Sequence, residues 1–431
     1  MQITIYRGTK EIGGTLVEIK TPNTRILVDT GYPLFLNSEP IESNISRLPY
    51  TKLLELGVLP AVDGLYAWDF PGFDGVLISH AHLDHYGLLK YVHPLIPIFM
   101  SAGTEKLIQL SRCFKITDDF NLHTSLFDMY QPFQIGDVKI RPYLMDHSAF
   151  DSAAFEIITE DKTIVYSGDF RAHGRKAKCL DRFIELVKKR PDLLLVEGSM
   201  LGRLDEHIMT EAGLENLVIK RMKDNNVPLL FQCSSQNIDR LVSLYRAAIR
   251  LKRLFVIDVY TANVLYELKQ LGNKLPFPSP DYPNIKVFYP YYLTRRIFNK
   301  IGQIYARRFS DFHISREQIK ILQGEIVMAC RPSMLMDIKR CKLHDGVFLY
   351  SMWQGYRDDP RQRSFEKYLE EAGFSTESLH TSGHAGINDI QRIINEVNPK
   401  KVIPIHTLYP EKFYDFSTNT ELKKDGVSFT V

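Results

Sequence analysis

No cysteine pair in the sequence has CxxC spacing, and the five cysteines (Cys113, Cys179, Cys233, Cys330, Cys341) are odd in number. Reduced, buried thiols are therefore expected rather than a disulfide framework. No apolar run approaches membrane-spanning length, and Met1-Gln2-Ile3-Thr4-Ile5-Tyr6-Arg7 has neither the basic n-region nor the apolar h-region of a secretory signal. A cytoplasmic location without a membrane partner is the expectation. Repeats and low-complexity tracts are also missing, and the formal charge of +3 is too mild to identify a polyanion partner by itself. At 431 residues the chain exceeds one ordinary domain, so two cores, or one core with a large insertion, are expected.

Short apolar runs that stop on polar residues are what the sequence does have. Residues 75–79 run into His80, 163–168 into Asp169, 193–196 into Glu197 and 402–405 into His406. Residues 15–19 and 25–29 read as a pair of strands. In a sheet-based α/β protein such strand ends gather functional groups, because loops converge there while the strands stay rigid. Between about 204 and 350 the texture changes to strand-like and helical segments, such as 227–231 followed by an amphipathic run over 237–251. That stretch has no His/Asp strand ends, so it reads as an α/β insertion that covers a site built elsewhere.

His80-Ala81-His82-Leu83-Asp84-His85 packs three imidazoles and a carboxylate into six residues. Imidazole nitrogen is a preferred ligand for zinc-like ions, and a carboxylate adds charge compensation for a second cation. In an extended segment His80 and His82 point the same way, while a turn at Asp84 can aim Asp84 and His85 at a neighbouring ion. Two ions need more ligands than the loop supplies. His147 is a third imidazole for the first, Asp169 could bridge both with its two oxygens, and His406 would complete the second.

The ordered set resembles the metallo-β-lactamase superfamily and, within it, the β-CASP nucleases near the RNase J group. The likeness begins at Glu11-Ile12-Gly13-Gly14 and Asp29, continues through the His80 loop, His147 and Asp169, and resumes at Ser382-Gly383-His384 and Pro404-Ile405-His406. It implies an α/β fold: a metallo-β-lactamase αββα sandwich with an inserted α/β β-CASP domain, divided as 1–205, 206–350 and 351–431. It implies that His80, His82 and His147 hold one metal ion, that Asp84, His85 and His406 hold the other, and that Asp169 bridges them. The two divalent ions would be Zn2+, with Mn2+ the alternative, and Asp29 would orient a ligand from behind. Glu197 matches the acidic residue that closes a strand before the family's insertion, and His384 the histidine that follows it. His406 matches a position similar in RNA-acting members and usually aliphatic in DNA-acting ones, which favours RNA as the partner. RNase J proteins carry a further C-terminal domain, whereas this sequence stops at Val431, so the family's oligomer contacts are not carried over and a homodimer stays open. Between the last two motifs, Asn388 with Gln391 reads as a capping pair. Ile387, Ile390, Ile394 and Val397 repeat at helical spacing up to Asn398-Pro399, and a strand over 401–405 then leads to His406.

Two cations about 3.5–4 Å apart can share a hydroxide as nucleophile, because metal binding lowers the pKa of water to about 7. The leaving ribose oxygen of a phosphodiester then needs a proton. His384, oriented by Glu197, is the candidate general acid, and Asp84 is counted with them as catalytic. Arg171, Arg175 and Lys176, just past Asp169, and Ser382 are candidate phosphate contacts. Residues 288–309 interleave Tyr289, Tyr291, Tyr292, Phe298 and Tyr305 with Arg295, Arg296, Lys300, Arg307 and Arg308. They read equally as a groove that stacks bases or as an amphipathic helix with a solvated basic face. The expected function is metal-dependent RNA hydrolysis, exo- or endonucleolytic. A DNA nuclease of the same family and a small-molecule hydrolase of the same fold are the alternatives, while a metal-free scaffold conflicts with the intact ligand set.

Overall fold

Alternation with a period of two decides how the two ends of the chain meet. Ile3 and Ile5 of the strand Gln2–Arg7, Val17 and Ile19 of Leu16–Lys20, and Ile26 and Val28 of Arg25–Val28 all turn to one face and are fully buried there. In the computed structural model, which describes all residues except 37–38, 42–44, 122, 204–207, 273 and 299–301, these strands belong to a seven-stranded sheet. Its order is Ser428–Thr430, Gln2–Arg7, Leu16–Lys20, Arg25–Val28, Gly75–Leu77, Ile98–Ser101 and Thr124–Phe127. A six-stranded sheet lies against it, ordered Val402–Ile405, Leu193–Glu197, Thr163–Tyr166, Ala153–Ile158, Val138–Leu144 and Phe133–Ile135. Ile140, Phe155, Ile157, Ile164, Leu193, Leu195, Ile403 and Ile405 supply its half of the shared core.

The outer face of each sheet takes helices. Leu107, Ile108 and Leu110 of the helix Ala102–Cys113 cluster with Leu16, Leu27, Val76 and Ile98 of the first sheet. On the second, the helices Lys178–Leu186 and Ile387–Val397 cover Tyr143, Val165, Leu194 and Val402 with Leu180, Phe183, Ile390 and Ile393. This is the expected αββα sandwich. The last helix begins differently from its prediction: Gly386 is the N-cap without a side-chain bond, and Asn388 is an exposed residue inside the helix rather than its cap. It ends at Asn398, whose φ of 54° suits the left-handed tolerance of asparagine.

A third sheet of six parallel strands is ordered Ile285–Phe288, Leu254–Asp258, Ile326–Ala329, Leu229–Gln232, Val347–Tyr350 and Ser375–Ser378. Leu229–Gln232, the first of these strands along the chain, leads into the helix Ile238–Arg250, where Asn237 caps by accepting from the Arg240 N–H at 3.1 Å. The sheet continues past residue 350. Phe365 and Leu369 of the helix Pro360–Glu371 lie in its core, and Ser375–Ser378 pairs with Val347–Tyr350, so the expected boundary at 350 falls inside it. The expected boundary at 205/206, like Lys300, lies outside the described residues. One core cluster joins this sheet to the first, and Phe114 packs 5.0 Å from Tyr260 of the helix Val259–Gln270. Among the described residues no helix is long and apolar enough to cross a membrane.

Ile393 is fully buried beneath the second sheet, so Ile393→Ala is expected to cost about 2–5 kcal/mol in urea denaturation. Asn388→Ala is expected to stay within about 0.5 kcal/mol, because no cap is lost.

Candidate metal centre and catalytic histidine

The His80 loop leaves the end of the strand Gly75–Leu77 in extended conformation and turns at His82, which is the N-cap of the one-turn helix Leu83–Tyr86. His80 and His82 thus precede the turn, and Asp84 and His85 ride on it. His80 Nε2 lies 3.2 Å from His82 Nδ1, which lies 3.1 Å from His147 Nε2. Nitrogens bonded to one tetrahedral ion at about 2 Å would be roughly 3.3 Å apart, so this spacing fits a metal.

Partners behind the rings fix which nitrogen faces inward. His147 Nδ1 donates to the Gly383 carbonyl at 2.5 Å. The Ser79 hydroxyl donates to Asp29 Oδ2 at 2.8 Å and is left to accept from His80 Nδ1 at 3.0 Å. Both Nε2 lone pairs are therefore free for an ion. Burial pushes His80 and His147 well below the ordinary histidine value and His82 down to about 4, so all three are neutral near pH 7.

Asp84, His85 and His406 converge beside them. Asp84 Oδ2 lies 3.9 Å from His85 Nε2 and 3.7 Å from His406 Nε2. A single oxygen of Asp169 faces both groups: Oδ2 lies 3.1 Å from His85 Nε2, 3.7 Å from His406 Nε2 and 3.8 Å from His80 Nε2. Gly168 makes that approach possible, since at its φ of 56° an added Cβ would sit 2.5 Å from the Ala153 carbonyl oxygen.

Asp29, fully buried with φ of 59°, accepts from the Ser79 N–H at 2.7 Å, from the Tyr166 hydroxyl at 2.6 Å and from His85 Nδ1 at 2.8 Å. The His85 ring is thereby held with Nε2 inward. Three buried atoms aimed at this second group, His85 Nε2, His406 Nε2 and Asp169 Oδ2, have no well-aligned hydrogen bond among the described residues, although the first and last approach each other to 3.1 Å. Buried polar atoms left so are rare unless something else binds them, and this donor chemistry suits a divalent ion. Charge agrees. Burial opposes a proton on His85, yet Asp169, Asp29 and Asp84 outweigh it and raise the imidazole well above its ordinary value. The site favours positive charge and can hold metal ions.

His384 stands at its edge. Both Glu197 oxygens lie 3.2 Å from His384 Nδ1, and Asp169 Oδ2 lies 3.6 Å from it. Glu197 is buried and also accepts from the backbone N–H groups of Phe170 and Ser199, each at 3.1 Å. Burial would lower the His384 imidazole, but Glu197 and Asp169 outweigh it and raise it to about 9. It is protonated near pH 7.

Of the expected phosphate contacts, Arg171 needs correction and Arg175 is engaged elsewhere. Arg171 is completely buried, with Nη2 donating to Asp239 at 2.7 Å and Nη1 to the Ser382 carbonyl at 3.1 Å, so no phosphate reaches it. Arg175 turns to Glu215 at 2.5 Å and Ser243 at 2.9 Å. Lys176 Nζ lies over the Phe150 ring, 5.6 Å from its centre. Ser382 is partly exposed, and its hydroxyl accepts from the His384 N–H at 3.0 Å. In the aromatic and basic stretch, Tyr291–Phe298 and Gln303–Arg307 are short helices that bury Ile297 and Ala306. Tyr291, Tyr292 and Phe298 are exposed there, whereas Arg308 is paired with Glu267 at 2.7 Å. Sequence reasoning missed Ser79, Tyr166 and His173. The first two adjoin strand ends already noted, while His173 has no signal beyond lying four residues past Asp169.

Residues 24–220 match the family model described as the beta-lactamase superfamily domain, and 374–413 match the Zn-dependent metallo-hydrolase RNA specificity domain. The chain is 27% identical to Ribonuclease J of Helicobacter pylori (strain ATCC 700392 / 26695), over 95% of this chain and 56% of that protein. It is 21% identical to Ribonuclease J of Mycoplasma genitalium, over 94% of this chain and 67% of that one. It is 25% identical to Integrator complex subunit 11 of Gallus gallus, over 94% and 68%. The chain thus spans little more than half the length of the first curated relative. A crystal structure of a protein of unknown function from Enterococcus faecalis V583 superposes with a TM-score of 0.79 at 21% identity, covering 100% of this chain and 99% of that one.

Asp29→Asn keeps the side-chain volume and tolerates positive φ, but it weakens the hold on His85. Affinity for divalent ions is expected to fall about 10- to 100-fold, read by competition with a chelator. Unchanged affinity would remove Asp29 from the orienting role.

Proposed function

We propose that the chain belongs to the metallo-β-lactamase superfamily, in its RNase J-type β-CASP branch, and that it is a metal-dependent ribonuclease. The observation that carries the reading is the Glu197–His384 pair, whose imidazole nitrogen lies 3.6 Å from Asp169 at the rim of the metal cradle. A small-molecule hydrolase of this fold would not need that pair. RNA rather than DNA is favoured because the matched RNA-specificity segment, 374–413, contains both His384 and His406, and because relatives are named Ribonuclease J. For the domains we propose the sandwich as 1–205 and the end of the chain, with the insertion running from about 206 through the strand Ser375–Ser378 rather than to 350.

Two ions are proposed, Zn2+ or Mn2+. His80, His82 and His147 would hold one, Asp84, His85 and His406 the other, and Asp169 would face both. When bound, such ions offset charge on a phosphodiester and lower the pKa of water, so that a nucleophile is available at neutral pH. The chain's own residues do the rest. Asp29 and the Gly383 carbonyl keep His85 and His147 turned inward. Glu197 holds His384 oriented and protonated, and His384 delivers its proton to the departing ribose oxygen.

Metal analysis of the purified protein is expected to give close to two ions per chain, and His82→Ala to lower metal content and activity together. His384→Ala is expected to retain metal while turnover falls roughly 100- to 10,000-fold, the range for a lost general acid. The deficit should shrink when sulfur replaces the leaving oxygen, since a thiolate departs without that proton. Equal proportional losses on both substrates would sink the assignment.

A further inference from the structure

Ser382-Gly383-His384 is held from both sides by groups that the chemistry above does not use. The Ser382 carbonyl accepts from Arg171 Nη1 at 3.1 Å and from His173 Nε2 at 2.8 Å, while the Ser382 hydroxyl accepts from the His384 N–H at 3.0 Å. Arg171 is completely buried, and its other contacts are Asp146 at 3.4 Å, Asp239 at 2.7 Å and Glu211 at 3.6 Å. Asp239 belongs to the helix Ile238–Arg250 beneath the third sheet, and Glu211 to the helix Glu211–Met222. Arg240, also completely buried, shares Glu211 at 3.0 Å and reaches the Thr381 carbonyl at 3.4 Å.

Burying two guanidinium groups with their carboxylates is not a route to stability, since well-packed apolar side chains of similar volume often serve as well or better. What this arrangement yields is direction. Rigid, charge-assisted donors fix two successive carbonyls just before His384. Accepting the proposed function, we propose that Arg171 and His173 are positioning residues for His384, forming a clamp on the Ser382 carbonyl that is anchored in helices of the insertion. Neither touches substrate. Displacing a catalytic group by about 1 Å can cost on the order of 100-fold in rate, so a loose loop would be felt in turnover before it was felt in binding.

His173→Phe removes the donor while keeping a planar ring of larger size, and His173→Gln supplies a side-chain N–H in its place. With the full-length protein kept saturated with metal, His173→Phe is expected to lower kcat on RNA about 10- to 100-fold with little change in KM. The loss should shrink on the sulfur leaving group, and His173→Gln should restore most of the rate. Hydrogen exchange read by mass spectrometry should quicken in peptides spanning 380–386 for His173→Phe and stay near wild type for His173→Gln. Arg171→Lys, which keeps the charge but loses the planar fork, is the second variant should the first not fold, with the same pattern expected. Equal proportional loss on both leaving groups, or unchanged exchange over 380–386, overturns the clamp. Should the wild-type protein cleave no RNA, the ribonuclease reading is what fails, and the exchange comparison alone then decides the clamp.

Discussion

Three carboxylates, Asp29, Asp84 and Asp169, meet at the ends of strands from two facing sheets, and two of them are almost completely out of water. Such a concentration of buried negative charge is tolerable only if positive charge joins it. Much of the surrounding structure follows from that constraint. Asp29 and His406, with φ of 59° and 51°, and Gly168 at 56° all adopt left-handed backbone where their strands end, turning functional groups toward a single point. Positions of that kind persist only where the surroundings over-determine them. Here the sandwich does so: apart from the partly exposed Arg25, every residue of the strands leading into them is buried.

One residue type serves two purposes because its environment differs over a few ångströms. His80, His82 and His147, the first and last buried and His82 partly exposed, lie in a cluster of imidazoles and stay neutral, which suits lone-pair donation. His384, whose ring centroid is only 5.2 Å from that of His147, faces two carboxylates and holds its proton up to about 9. The separation is electrostatic rather than conformational, and titratable neighbours whose values are pushed apart mark the division between ligand and acid.

Much of this was legible in sequence because it is local. Three histidines and an aspartate within six residues must lie near one another whatever the fold, and an apolar run ending on His or Asp places that residue at a strand end. The failures are those of direction and of weak patterning. Arg171 lies two residues past Asp169, but adjacency along the chain does not say which way a side chain points, and this one points inward to Asp239. The strand Ser375–Ser378 contains only Ser, Thr and Glu and is largely exposed, so no alternation betrays it and the insertion seemed to end too early. Asn388 has the chemistry of a cap, yet Gly386 takes the position because the chain enters the helix two residues sooner.

The placement of His384 ties these threads together. It follows the last strand of the third sheet by six residues, whereas Glu197 closes a central strand of the second. Their 3.2 Å contact is therefore made between two separately built sheets, and it exists only when those sheets are correctly seated on one another. The proposed metal ligands share this dependence only through His147, whose Nδ1 donates to the Gly383 carbonyl; His80, His82, Asp84, His85, Asp169 and His406 lie on loops, strand ends or the one-turn helix of the sandwich itself. The two halves of the proposed chemistry thus rest on different parts of the fold. The proposed ions would belong mainly to the sandwich, and the proposed proton to the junction between the sandwich and the third sheet. A change that shifts the third sheet without unfolding it should impair the second more than the first, in which only His147 is tied to that junction, and this gives an insertion on this fold a direct route to control over the proposed cleavage.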